Sequence, residues 1–246
     1  VTTLLLKLGG SVITDKDEPE TVDEDALEAA AASLGAVDFD RLVVVHGGGS
    51  FGHHHASAHG VSRTDGSTDA GAVRDIHGAM CELNDAVVDA LADEGVPAVP
   101  VHPFSAAYRS DDGHLVHPTT QLAAMLDQGW VPVLHGDVVT HDDAGATILS
   151  GDEIIVALAG NLGASRIGLC STVPGVLDDD GDVVPEITAY EEVADALGES
   201  ESTDVTGGMA AKVETLLALD SDSYIFGPGD LDAFLAGEAA GTHVRT

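Results

Sequence analysis

A run of aliphatic, mostly β-branched residues that breaks on clustered glycines constrains this chain most strongly. Leu42-Val43-Val44-Val45 has the composition of a buried strand, and it runs into His46-Gly47-Gly48-Gly49-Ser50-Phe51-Gly52-His53-His54-His55. Four glycines within the six positions 47–52 let the backbone turn tightly and bring its N–H groups close to a ligand. A helix opening downstream would add partial positive charge, so the expected guest is an anion such as phosphate. The chain begins on the same plan: a strand over Thr2 to Leu8 breaks at Gly9-Gly10.

Further along, the spacing predicts helices over Asp23 to Leu34, Ala70 to Asp93, from the His117-Pro118-Thr119-Thr120 start to about Gln128, and from Ser150-Gly151-Asp152 through Leu162. A short strand is expected at Val96 to Val101, a buried strand at Trp130 to Leu134 and a strand at Ser165 to Cys170, with hairpins at Val138 to Leu149 and Gly175 to Val184. Thr64 to Asp69 reads as polar and flexible. Helices at about Ala189 to Ala196 and Gly208 to Ala218, strand Tyr224 to Phe226, a short helix and a last strand near Thr242 to Val244 complete the chain. Strands alternating with helices specify an α/β fold, a mainly parallel sheet covered on both faces as a three-layer αβα sandwich. The glycine loops then gather at the carboxyl ends of the strands, where such sheets bind ligands. One domain over residues 1–246 is expected, with lobes of about 1–149 and 150–246.

Charge removes several function classes. With 43 acidic and 9 basic residues the net charge is −34, and the acids are spread between apolar segments rather than gathered in a tail. Such a field repels nucleic acid and anionic membrane surfaces. It suits a folded, heavily solvated surface in a salt-rich, halophilic cytoplasm, where charge is screened within about 3 Å at 1 M salt. No apolar run approaches the roughly 20 residues that cross a membrane, and no export signal is read at the N-terminus. Cys81 and Cys170 are the only cysteines, too few for a disulfide framework, which fits a reduced cytoplasm.

Against that acidic background the three lysines stand out, because each lies beside a glycine-rich turn. Lys7 and Lys16 flank Leu8-Gly9-Gly10-Ser11-Val12-Ile13-Thr14-Asp15, and Lys212 follows Asp204-Val205-Thr206-Gly207-Gly208-Met209. Gly47, Gly49 and Gly52 formally satisfy a dinucleotide fingerprint, but they follow the second strand and lack a strand-ending acid about 20 residues on. No Gly-Lys-Ser/Thr follows them, which excludes a P-loop. Zinc at His53, His54, His55 and His59 is disfavoured, since adjacent loop histidines diverge and no cysteine lies nearby in sequence. Of these, His53 is placed on the ligand and the others are read as polar decoration. Asp152 has two readings, a helix cap or a carboxylate that holds two lysine ammonium groups together.

Lys7-Leu8-Gly9-Gly10-Ser11, the loop His46 to His53, Leu149-Ser150-Gly151-Asp152 and Asp204 to Met209 with Lys212 together resemble the amino-acid kinase family, in family order over nearly the whole chain. Within it, Gly-Gly-Gly-Ser-Phe-Gly-His and the Ile13-Thr14-Asp15-Lys16 extension look most like the isopentenyl phosphate kinases, which use ATP to make isopentenyl diphosphate from the monophosphate in archaeal, mevalonate-type isoprenoid synthesis. The resemblance implies that Lys7, Gly9, Gly10, Ser11 and Gly49 hold the ATP phosphates, and that Lys16 stabilises the transferring phosphoryl group. It implies that Gly48, His53 and Gly151 face the acceptor phosphate, that Asp152 organises the lysines, and that Lys212 and Gly208 secure the nucleotide. Relatives commonly read Thr-Asp-Val-Asp-Gly near the nucleotide. Here the stretch is Ser171-Thr172-Val173-Pro174-Gly175, so adenine and ribose contacts are assigned to Thr172 and Leu177. A homodimer and Mg²⁺ carried by ATP are further implications.

The residue list suits phosphoryl transfer, which needs positioning and charge neutralisation more than covalent help. A monoester acceptor, with a second pKa of about 6, is already ionised and needs no general base. A carboxylate acceptor would more naturally be clamped by arginine, and none of the six arginines lies in the glycine loops. An apolar tail is expected against Ile76, Met80 and Leu83, residues that ordinary core packing would also explain. Two rivals are a kinase of another small phosphorylated or phosphonate acceptor, akin to the fosfomycin kinases, and a non-catalytic nucleotide or metabolite sensor on the same fold.

Overall fold

The computed structural model describes residues 2–198 and 208–246. The first half runs β1 (Thr3–Leu8), α1 (Gly10–Ile13), α2 (Glu24–Gly35), β2 (Arg41–His46), α3 (Gly49–His59), α4 (Ala70–Asp93) and β3 (Ala98–Pro100). A short pair, β4 (Tyr108–Arg109) and β5 (Leu115–Val116), leads to α5 (Thr120–Asp127), β6 (Val131–His135), β7 (Asp137–His141) and β8 (Gly145–Leu149). The remainder is α6 (Gly151–Leu162), β9 (Ala164–Cys170), β10 (Glu186–Ile187), α7 (Ala194–Gly198), α8 (Gly208–Leu217), β11 (Asp222–Phe226), α9 (Leu231–Leu235) and β12 (Thr242–Val244).

Eight of these strands form one sheet in the order β10-β12-β11-β9-β1-β2-β6-β3, and only β11–β12 pairs antiparallel. The pleat sends alternate side chains to opposite faces. Leu5 of β1 and Val43 and Val45 of β2 join one core with Ile155 and Leu158 of α6 and Leu122 of α5. Leu6, Leu42 and Val44 join the other, with Leu27 and Leu34 of α2 and Met80 and Leu83 of α4. Both faces are therefore covered, as the near-continuous hydrophobic strand sequences require. The expected α/β three-layer arrangement is the one observed. A second sheet, β5-β4-β7-β8, stands apart from the first.

Register decides where the site forms. Leu8 aligns with both His46 and Cys170, and His46 aligns with His135, so the last residues of four neighbouring strands lie in one row. The chain leaving each strand then hooks onto its neighbour: Gly9 N–H bonds Cys170 O, Gly47 N–H bonds Leu8 O, and Gly136 N–H bonds His46 O, at 2.9–3.0 Å. Three turns are thereby set side by side along one sheet edge.

The structure corrects several local expectations. The glycine loop is short, because α3 begins at Gly49, so His53, His54, His55 and His59 lie on a helix rather than in a loop. The Gly175–Val184 hairpin reduces to a single bridge between Leu177 and Val183. The helix expected at Ala189 to Ala196 is a 3₁₀ turn at Tyr190–Glu192 followed by the short α7. The strand at Val96 to Val101 is confined to Ala98–Pro100, and α1, β4, β5 and β10 were not anticipated. Thr64 to Asp69 is tied to the small sheet by a bridge between Ser67 and Ala146.

Candidate active site

The row of strand ends opens into a cleft lined by Lys7, Gly9–Val12, Gly47–Gly49 and Gly151–Asp152, with Lys212 at one side. Two backbone segments meet at its floor. A side chain on Gly10 would collide with the backbone of Gly49, and one on Gly47 would press on Gly10, with 2.6 Å to its nitrogen. Only glycine permits this approach. Gly49 also takes a positive φ of 48°, so the pattern of glycines follows from both contact and conformation. Thr14 ties the segments together: its hydroxyl donates to Gly10 O at 2.9 Å and accepts from Ser50 N–H at 3.0 Å. Neither α1 nor α3 is capped by its own N-cap side chain; with Ser50 N–H taken by Thr14 and Val12 N–H by the Gly9 carbonyl, the N–H groups of Gly10, Ser11 and Gly49 are the ones left at the cleft among the described residues.

The cations are held by a carboxylate. Lys7, at the end of β1, donates to Asp152 at 2.7 Å, and both side chains are only 11–13% exposed. Lys212 of α8 approaches the other carboxylate oxygen to 4.0 Å. Among the described residues that oxygen, though buried, has no hydrogen-bond partner. A side chain on Gly151 would reach within 3.1 Å of the Lys7 Cε, so the glycine makes room for the lysine. The two readings of Asp152 are thus separated. Ser150 caps α6 in a reciprocal capping box with Glu153, and Asp152 is free to face the lysines. Glu153 is itself fixed at 3.0 Å by Arg109, a buried side chain that sequence reasoning passed over.

The opposite wall is apolar. Gly52 packs so closely on Met80 that a side chain there would come within 2.8 Å of its sulfur, and Ile76 and Ala56 complete the surface. His53, four residues into α3, is exposed and borders the cleft. Its neighbours turn elsewhere: His55 pairs with Glu20 at 2.8 Å and His59 with Asp75 at 3.1 Å. Leu83 lies in the core and does not reach the cleft.

Behind the turns sits a group of buried polar side chains with no counterpart in the expected site. Burial pushes the His46 imidazole down to about 4, although Asn84 and Gly47 hydrogen-bond it. Burial likewise holds His135 well below its ordinary value. Asp137 lines the cleft floor and is raised by burial, against the pull of His77, while its hydrogen bond raises His77 in turn.

The structure therefore gathers Lys7, Gly9, Gly10, Ser11, Gly48, Gly49, His53, Gly151, Asp152, Thr172 and Lys212 around one cleft. Gly208 is joined to it through Lys212, whose ammonium lies 3.5 Å from the Gly208 carbonyl. Lys16 is exposed on the bend after α1 and does not line the cleft. Leu177 is also outside it, engaged with Val183. Asp204 to Gly207 lie outside the described residues. Thr14, Arg109 and Asp137 are the additions. A hydroxyl-bearing residue three positions after Gly-Gly-Ser was the available signal for Thr14, whereas nothing local marks the other two.

Comparison with known proteins agrees with this geometry. The chain is 63% identical over 243 residues to isopentenyl phosphate kinase from Haloferax volcanii, covering 98% of each chain. It is 33% identical to isopentenyl phosphate kinase from Methanocaldococcus jannaschii, covering 98% of this chain and 97% of the relative. A solved isopentenyl phosphate kinase structure superposes with a TM-score of 0.81 at 29% identity, covering 99% of this chain and 100% of the other. Residues 2–222 match the amino acid kinase family, and on these grounds the chain belongs to that family.

Proposed function

We propose that this chain is an isopentenyl phosphate kinase, transferring the γ-phosphoryl group of ATP to isopentenyl phosphate to give isopentenyl diphosphate and ADP. One observation carries the reading. A cleft with two lysines on one largely buried carboxylate and a glycine-built anion cradle adjoins an apolar wall of Ile76 and Met80. That combination suits an acceptor with a phosphate head and a hydrocarbon tail. The 63% identical relative of that name supports the same substrate class.

Lys7, Gly9 and the N–H groups of Gly10, Ser11 and Gly49 bind the ATP phosphates, Lys212 and Gly208 secure the nucleotide, and Thr172 and Leu177 take the adenine and ribose. Gly48, Gly151 and His53 hold the acceptor phosphate, His53 as a hydrogen-bond donor. Asp152 keeps Lys7 and Lys212 from repelling each other apart as they converge on the phosphates. Lys16 lies outside the cleft and enters the mechanism by swinging its side chain onto the transferring group once ATP and acceptor are bound. Mg²⁺ enters with ATP and neutralises charge between its phosphates. Transfer is in line from ATP to the acceptor oxygen, and no base is needed because the acceptor is ionised near neutral pH. Residues of about 1–149 form the acceptor lobe and 150–246 the nucleotide lobe of a cytoplasmic homodimer. No described helix is long and apolar enough to cross a membrane.

The test is an acceptor screen with ATP and Mg²⁺ at high salt, comparing isopentenyl phosphate, fosfomycin, acetylglutamate and UMP. Turnover is expected on isopentenyl phosphate. Preferential turnover of another acceptor, or none at all, would sink the assignment.

A further inference from the structure

Cys81 on α4, His102 after β3 and His135 at the end of β6 converge behind the cleft on a point that phosphoryl transfer does not use. One N or S atom from each lies within 4.8 Å of the other two. The Cys81 sulfur is 3.6 Å from His102 Nδ1 and 3.5 Å from His77 Nε2, and His102 Nδ1 is 2.9 Å from His135 Nε2. A tetrahedral zinc ion with Zn–S near 2.3 Å and Zn–N near 2.0–2.1 Å sets its S···N edges at about 3.6 Å and its N···N edges at about 3.3 Å. The Cys81–His102 distance matches, and the His102–His135 nitrogen pair must open by only a few tenths of an ångström.

The outer hydrogen bonds fix which nitrogens face inward. His135 Nδ1 lies 2.8 Å from the Gly136 carbonyl, which only accepts, so Nδ1 carries the proton and Nε2 presents a lone pair. His77 Nδ1 lies 3.0 Å from both oxygens of Asp137, which also accepts from the Val138 N–H at 2.8 Å. The carboxylate is thus the acceptor, and His77 Nε2 is left facing Cys81. His135 thereby has the signature of a metal-bound histidine, the second ring nitrogen donating to a carbonyl or carboxylate.

We propose that Cys81, His102 and His135 form a binding site for a divalent transition metal of the zinc type, with the fourth position taken by water and His77, held by Asp137, packed against the Cys81 sulfur. A mixed sulfur and imidazole donor set selects such ions over Mg²⁺ or Ca²⁺, which take oxygen. On binding, the Cys81 thiol releases its proton to solvent, and the His102 proton moves from Nδ1 to Nε2. The ion then clamps α4, which carries Ile76 and Met80 of the apolar wall, to β6 and to the segment after β3. The site is independent of the acceptor's identity.

The test is titration of chelator-treated, nucleotide-free protein with Co²⁺, followed by absorption, and with Zn²⁺, followed by thermal melting. One equivalent of Co²⁺ should give tetrahedral d–d bands and a thiolate charge-transfer band, and Zn²⁺ should raise the Tm. Cys81→Ser should abolish the charge-transfer band, and His102→Gln, at a partly exposed position, should abolish the tetrahedral bands. His54→Gln with His55→Gln on α3 should change neither. Absence of a charge-transfer band in the unmodified chain, its persistence in Cys81→Ser, or loss of the signal in the α3 variant would each overturn the proposal.

Discussion

On one flank of the cleft Lys7 and Lys212 converge on Asp152, with side chains 11–16% exposed, while on the exposed side His53 borders the cleft from a helix face and Lys16 stands beyond it on a bend. The first flank is set before any ligand arrives. Its charges are desolvated, so they interact strongly and lose little freedom when phosphate binds. The exposed flank can be ordered only by the ligand itself, so its side chains contribute to binding and transfer and little to the fold. Arg109 and Glu153 deepen the contrast, since this second ion pair holds the capping box beneath Asp152.

Substitutions that treat the flanks differently can sharpen or break this comparison. The largest effect is expected from Asp152→Asn, which keeps the shape but removes the counter-charge of both lysines. Turnover should fall about 10²–10³-fold, the scale of losing one preorganised electrostatic contact in a dry site. A melt should register lost stability as well, and near-normal kcat would end the view of Asp152 as organiser. His53→Ala comes next. Loss of a hydrogen bond to a charged group costs about 1.5–3 kcal/mol, so kcat/KM for the acceptor should drop roughly 10- to 150-fold. Urea denaturation should find its stability within about 0.5 kcal/mol of the parent. Unchanged kinetics would remove His53 from the site. The smallest structural effect belongs to Lys16→Ala, whose stability should also stay within about 0.5 kcal/mol. Its kcat should nevertheless fall by more than its KM for ATP rises, and the reverse pattern would place Lys16 on ground-state nucleotide binding instead.

Much of the frame was legible because it is written locally. Leu42 to Val45 announces a buried strand, and the glycines after it announce a backbone that others approach closely. The exposed histidines misled only in their setting, since helix α3 starts inside the glycine run, where propensity argues against it and the fit against Gly10 and Thr14 prevails. The Gly175–Val184 hairpin turns where expected, at Asp178 to Asp182, but its arms pair only through one bridge, with Val184 N–H bonded to Val176 O and Asp178 N–H to Asp182 O, and so they do not extend into strands. Asp152 was open between two roles until Ser150 was seen to take the cap.

By itself, then, the sequence determined the alternation of strands and helices, the glycine turns at strand ends and the scarcity of cations that drew attention to Lys7, Lys16 and Lys212. These are properties of period, local conformation and composition. Tertiary structure alone decided that Lys7 meets a carboxylate 145 residues away, that Lys16 remains outside, and that Cys81, His102 and His135 converge. Such meetings depend on the register of parallel strands and on which helix face packs inward. Spacing along the chain carries no record of either.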